Sequence, residues 1–298
     1  MAVFYQVMLP VLLIFFSGYV VQKWQQLNLR ALSTLAIYIL SPCLVFRTFY
    51  QTPIDLQYAY MVLFSISLLA GLILLNKLYT LWRKHSPNVE SGLILSSAFM
   101  NSGNYGVPVI LFAYGEAGFH YAVSFMVLQS ILMNFVGVYY AARGQAGVKV
   151  AIRLVFKMPA TYAAAIAILF QTAHIQLPEQ FYGAIDLVAD ATIPVVMLIL
   201  GMQLADLKLK KLHWETIGFG VVARMFVSPL LAVLLLSWMP IEPLLKKVLI
   251  VSSAMPSAAT TVMYAVQFDA EPDLVSSITL VTTLMSIVTL SVLLMLLG

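Results

Sequence analysis

The chain has 298 residues, 62% hydrophobic and 9% charged, with a formal net charge of +4. A soluble domain carries roughly 25% charged residues, so this composition excludes a water-soluble fold and makes lipid the solvent for most of the exterior. Cys43 is the single cysteine, which excludes intrachain disulfides and cysteine-based metal sites.

The first apolar run, MAVFYQVMLPVLLIFFSGYVVQ, has no Lys or Arg before it and no small-residue cleavage site, so it reads as a retained helix and not a signal peptide. A span needs about 20 mostly apolar residues, which places helices at roughly 4–22, 31–50, 58–80, 90–114, 117–142, 150–172, 181–204, 214–238, 243–267 and 273–297. The expected fold class is all-α integral membrane with ten transmembrane helices. Lys23 and Arg30, then Lys77, Arg83 and Lys84, then Arg143, Lys149, Arg153 and Lys157, then Lys208, Lys210 and Lys211 fall in alternate loops. The intervening loops carry almost none beyond Arg47. Positive-inside bias puts the basic set in the cytoplasm and both termini outside the plasma membrane. Lys246 and Lys247, at the outer end of the ninth segment, run against that bias.

Weak internal similarity divides the chain. MLPVLLI resembles KMPATYA, placing Pro10 opposite Pro159; SPCLVF resembles IPVVML, placing Pro42 opposite Pro194; LSSAFMNSG resembles VSSAMPSAA. The order is the same and the offsets are about 150 residues, as expected of two five-helix repeats, about 1–145 and 146–298, the second inverted. In such carriers the substrate site lies near the midplane, where corresponding helices are interrupted.

Two segments are interrupted here. The fourth holds Asn101, Ser102, Gly103, Asn104, Gly106 and Pro108, and the ninth holds Pro256, Ser257, Thr260 and Thr261. Against alanine, glycine costs a helix about 1 kcal/mol and proline about 3. In lipid such a break survives only where protein or a water-filled cavity satisfies the freed backbone. Broken helices four and nine are therefore expected to cross, with anion-favouring N–H groups at each half-helix N-terminus. Asn101, Asn104, Ser257 and Thr260 would add side-chain hydrogen bonds to substrate. The competing reading is a pair of proline kinks that only shape the bundle.

NSGNYGVPV in the fourth segment, ADATIPVVMLILGMQL in the seventh, ARMFVSPLL in the eighth and SSAMPSAATTVMYAVQFDAEPDLVSSITLVTTLMSIV at the end are the most distinctive stretches. In these the chain resembles the auxin efflux carrier family, as a bacterial member related to plant auxin exporters. The resemblance implies ten helices, inverted repeats, a crossover of helices four and nine, and organic anion transport. Asn101 and Pro108 take the family's positions at the first crossover, and Pro256 and Ser257 those at the second. It also implies a transport unit of helices three, four, five, eight, nine and ten on a scaffold of one, two, six and seven. AARGQAGVKV is a short loop where many plant carriers have a long hydrophilic one. Malate, malonate or another small carboxylate is expected in place of auxin.

Asp186, Asp190 and Arg224 are the ionisable residues farthest from loops, and charge inside a membrane marks function by default. Asp190 and Arg224 are expected at similar depth. They form a structural ion pair or, in the sharper readings, Asp190 is a proton-coupling carboxylate or Arg224 a substrate-facing cation. Gln129, Asn134, Thr279, Thr282, Thr283 and Ser286 read as interhelical hydrogen-bonding groups, with Gln129 the one facing substrate. Glu90 and Glu215 open helices, where a carboxylate suits the dipole. His85, His120, His174 and His213 have no metal-ligand spacing, and no P-loop, HExxH or nucleophile elbow occurs. No catalytic residue, metal or cofactor is expected, and no nucleic-acid partner.

The sequence therefore reads as a secondary transporter, not an enzyme, moving a small organic anion by alternating access, with membrane lipid as its other partner. Efflux is favoured by the membrane potential. Sodium or proton coupling, a homodimer, and a sensor that binds without transport stay open.

Overall fold

In hydrocarbon every backbone N–H and C=O must find a partner within the protein, so apolar runs of this length fold as helices. The computed structural model describes residues 4–51, 55–142, 159–206 and 214–298. A π-helical turn, Phe4–Met8, leads into α1, Leu9–Gln25. α2, Leu29–Leu35, continues through a π turn, Ala36–Leu40, into α3, Ser41–Gln51. α4, Leu56–Arg83, is followed by α5, Pro87–Ala98. A π turn, Ser102–Gly106, opens α6, Val107–Leu132, which continues through Met133–Gly137 into α7, Val138–Ala141. α8 is Pro159–Thr172 and α9 is Glu179–Asp206. α10, Trp214–Val222, joins α11, Ser228–Ser237, through the π turn Ala223–Val227. α12, Pro243–Ser253, α13, Ala259–Phe268, and α14, Pro272–Leu297, complete the chain.

Among the described residues there is no strand beyond one isolated bridge, and seven helical stretches are long and apolar enough to cross a membrane. The chain is an all-helical, multi-pass membrane protein. Seven differs from the ten segments expected for local reasons. The fourth and ninth segments are cut, leaving α5, α12 and α13 short. The stretch Ser102–Ala141 joins parts of the fourth and fifth across a kink at Gly115, whose φ of 66° suits glycine. Residues 150–158 lie outside the described residues, as do Arg143, Lys149, Arg153, Lys157, Lys208, Lys210, Lys211 and His213.

Side-chain caps fix several entries. Asn28, Asp55 and Ser86 accept from the N–H groups of Ala31, Gln57 and Val89 at 3.2, 2.9 and 3.3 Å, satisfying donors that a helix start leaves free. α4 connects the two polar ends of the bundle. Near its start the Glu242 N–H donates to Gln57 Oε1 at 2.9 Å, and at its end Arg83 pairs with Glu215. Lys247 Nζ donates to the Gly298 carbonyl at 3.0 Å. The C-terminal end of α14 thus gives that lysine a local role, since helix carbonyl ends favour cations.

The helices sort into two packing groups. α1 packs most extensively on α9, and α3 on α8 and α9. In the other group α4 packs on α5 and α11, α12 on α6 and α11, and α14 on α5 and α13. Both groups draw helices from both halves of the chain. The α1–α9 seam depends on two glycines. A Cβ on Gly18 would stand 2.2 Å from Leu198 O, and one on Gly201 would stand 1.9 Å from Phe15 O. Small residues let membrane helices approach backbone to backbone, where packing has to replace the hydrophobic drive that lipid removes.

Gly201→Ala should therefore lower stability by about 1–3 kcal/mol through overpacking. Gly183→Ala, whose Cβ meets nothing within 4 Å, should stay within about 0.5 kcal/mol of wild type. Thermal unfolding of both variants in detergent makes the comparison, and equal midpoints would remove the glycine seam from the account.

Candidate functional site

α5 stops at Ala98 because Phe99 turns to an extended conformation, φ −110° and ψ 120°. Helix resumes only at the π turn Ser102–Gly106. α12 stops at Ser253, Pro256 cannot donate a backbone hydrogen bond, and Ala258 is extended before α13 begins. The two extended stretches lie side by side. Met100 and Ser257 form an antiparallel bridge, with the Asn101 N–H donating to Pro256 O at 2.8 Å and the Ala258 N–H to Phe99 O at 3.0 Å. Each break thus supplies partners for the other. Ser257 Oγ donates to Ser96 O, and the Ser257 N–H donates to Thr282 Oγ1 at 3.2 Å.

The structure brings Asn101, Pro256 and Ser257 together at this bridge. Asn104 is half-buried within the π turn, Pro108 is buried in the first turn of α6, and Thr260 is half-buried in the first turn of α13. Gln129 is buried further along α6, one turn beyond Met126, whose Sδ stands 3.0 Å from the position of a Cβ on Gly103. The side chains of Asn101, Asn104, Gln129 and Thr260 hold no hydrogen bond among the described residues. With the Ser102 hydroxyl, they are polar groups left available near the breaks.

Arg224 is fully buried. Its Nη1 donates to Ser97 O at 3.0 Å, and its Nη2 donates to Ser253 O and Ser228 Oγ. Ser97 lies in the last turn of α5 and Ser253 ends α12, so one guanidinium meets the carbonyl ends of both interrupted helices. Ser228 Oγ also donates to Ser253 O at 2.8 Å. The expected Asp190–Arg224 pair is corrected here. Asp190 and Asp186 both accept from Arg47 Nη1, at 2.5 and 2.8 Å. The cause is placement: α3 and α9 share one packing group, whereas Arg224 lies in the other. Asp186 and Asp190, four apart on one helix face, converge on one cation.

Arg47, Glu116, Phe119, Asp190 and Pro194 line a cleft of about 270 Å³ between α3, α6 and α9. None of the residues at the bridge lines it. Of the hydrogen-bonding groups expected between helices, Tyr264 OH donates to Asn134 Oδ1 at 2.6 Å and Ser286 Oγ to Tyr105 OH at 3.0 Å. Thr279 and Thr283 instead donate to Val275 O and Thr279 O of their own helix, at 2.8 and 2.7 Å. Among the described residues no group of His, Cys, Asp and Glu is placed to hold a metal ion.

Sequence reasoning missed Ser96, Tyr105 and the pairing of Arg47, whereas Thr282, expected among the interhelical hydrogen-bonding groups, does accept from the Ser257 N–H. Ser96 acts through its carbonyl, which every residue type carries, so nothing marks it in the sequence. Arg47 did carry a signal, as the one cation expected near the second, fourth and sixth loops, with two carboxylates elsewhere at helical spacing.

A family model described as membrane transport protein matches residues 3–294. The chain belongs to the auxin efflux carrier family of membrane transport proteins. Two archaeal relatives are named uncharacterized transporters. One, from Methanocaldococcus jannaschii, is 26% identical over 300 residues covering 96% of each chain. The other, from Methanothermobacter thermautotrophicus, is 26% identical over 294 residues, covering 96% of this chain and 95% of the relative. The bridged breaks thus sit in a chain of a transport family.

The Arg47 cluster is partly open to its surroundings, with the Asp190 side chain 67% exposed. Asp190→Asn should cost less stability than Arg47→Ala, because Asp186 still holds Arg47 at 2.8 Å whereas loss of the arginine leaves two carboxylates without their cation. Thermal unfolding of both variants checks this, and an equal drop would give Asp190 a larger structural part.

Proposed function

We propose that the protein is a secondary transporter of a small organic anion, a dicarboxylate such as malate or malonate, working by alternating access. The reading takes the chain as ten transmembrane helices in two inverted repeats, about 1–145 and 146–298, with helices four and nine crossing at their breaks. The Met100–Ser257 bridge carries it. Helix resumes at Ser102 after one break and at Ala259 after the other, so two half-helix N-termini start beside one point. Their free N–H groups and positive dipole ends favour an anion.

In this reading Asn101, Asn104 and Thr260 hydrogen-bond the carboxylates, and Gln129 reaches in from α6. Pro108 and Pro256 keep the breaks open. Ser257, whose hydroxyl is committed to Ser96 O, supports the crossing in place of gripping substrate. The α1–α9 and α3–α8 contacts support the inverted repeat, because exchanging the halves maps helices one and seven onto six and two. The two packing groups suit a scaffold of helices one, two, six and seven and a moving unit of the rest.

With both termini outside the plasma membrane, export is the direction the potential favours. Moving one charge through 100 mV is worth about 2.3 kcal/mol, so a dianion gains about 4.6 kcal/mol on leaving. That equals a concentration ratio on the order of 10³ without a coupling ion.

Proteoliposomes on a supported membrane, challenged with malonate, malate and indole-3-acetate, test the proposal. Wild type should give a current with the two dicarboxylates, and Asn101→Ala should reduce it about tenfold or more, the loss of one hydrogen bond to a charged group. Binding without current or tracer flux would replace the carrier with a ligand sensor. An undiminished Asn101→Ala current would move the site away from the bridge.

A further inference from the structure

Carriers built on broken helices have two electrostatic needs at the break. Half-helix N-termini face the anion, and half-helix C-termini, rich in free carbonyls, coordinate a cation such as sodium. In this protein the carbonyl ends at Ser97 and Ser253 face Arg224. The side chain is fully buried, and the hydrogen bonds of its two Nη atoms go to those carbonyls and to Ser228 Oγ, with no carboxylate among them.

The charges match. A helix C-terminus carries about −0.5 elementary charge, so two such ends together amount to about one negative charge, opposite one guanidinium. The shape matches as well. A planar guanidinium reaches several acceptors on separate helices, which a lysine ammonium on its single point cannot do as well. The π turn Ala223–Val227 carries Arg224, and Ser228, directly after that turn, both accepts from Arg224 and donates to Ser253 O.

We propose that Arg224 is the resident counter-cation of the two breaks, a positioning residue that holds the ends of α5 and α12 together and fills the place of a coupling ion. The carrier then completes its cycle without bound sodium. Arg224 does not touch substrate; it acts by fixing the bridge beside which the substrate's half-helix N-termini begin. The inference rests on the transport reading only where flux is measured.

Two measurements test it. Wild-type protein is unfolded thermally, and assayed for malonate flux, in sodium, potassium and choline chloride. Arg224→Lys and Arg224→Gln are assayed beside it. Wild-type midpoints should agree within about 1 °C, since an ion that does not bind the native state cannot stabilise it, and fluxes should agree within about twofold. Arg224→Gln should lose about tenfold or more of the flux, and Arg224→Lys, which keeps the charge, should retain clearly more. A sodium-specific rise in wild-type midpoint or flux would overturn the proposal, as would Lys and Gln variants impaired to the same degree. If neither variant folds, the wild-type cation comparison decides. If no carboxylate is carried at all, the transport reading fails by itself, and the wild-type midpoints still decide whether a cation site exists.

Discussion

Two helices interrupted inside a membrane free backbone groups that lipid cannot satisfy, and the structure around Met100 and Ser257 follows from where those groups find partners. Part of the demand is met by reciprocity, since the Asn101 and Ala258 N–H groups donate to the opposite break. Part is met by hydroxyls, through Ser257 and Thr282. The carbonyl ends that remain fall to Arg224. In hydrocarbon an unsatisfied group costs several kcal/mol, so neither break is stable without the other, and the pair behaves as one element. That mutual dependence explains why the π turn Ser102–Gly106 packs on both α6 and α12 beside the bridge.

The same element touches the second packing group. Tyr105, in the π turn, meets Phe15 of α1 edge to face with ring centroids 5.0 Å apart, while its hydroxyl accepts from Ser286 of α14. α1 is in turn locked to α9 through Gly18 and Gly201. One side of the boundary is thus held by backbone-to-backbone glycine packing, and the other by the bridged breaks. Rigid bodies on both sides of an aromatic contact are what sliding motions require, because packed interiors switch between arrangements more readily than they deform.

Much of this was legible in the sequence. Composition and the length of apolar runs identified a helical membrane protein, and glycine, asparagine and proline clustered in the fourth span, with Pro256 among serines and threonines in the ninth, located both breaks. Backbone chemistry made these features readable, since glycine and proline act on their own segment. What stayed hidden depended on pairing between distant segments. Arg224 stood out as an intramembrane charge, but the partner assigned to it was a carboxylate. Helix carbonyl ends carry no sequence signature, so a guanidinium whose Nη atoms donate to two of them looks the same as one awaiting an aspartate. Asp190 was misassigned for the complementary reason: Arg47 lies near a helix end and reads as a loop residue until α3 is packed against α9. The number of spans was obscured where the breaks themselves cut helices short.

These assignments leave an asymmetry that bears on function. The fully buried Arg224 donates to the carbonyl ends of the interrupted helices, and Asp186 and Asp190 of α9 both accept from Arg47. No charged side chain then remains to cancel the positive ends at Ser102 and Ala259 among the residues that flank the bridge. Asn101, Asn104 and Thr260 there are neutral groups that donate hydrogen bonds without fixing a counter-charge. An acidic residue at the bridge would have turned the same geometry toward cations, and a second basic residue would have held an anion too firmly to release it. Under the proposed function, neutral donors beside uncancelled dipoles would attract an anion weakly enough for turnover, which is the balance a carrier needs between capture and release.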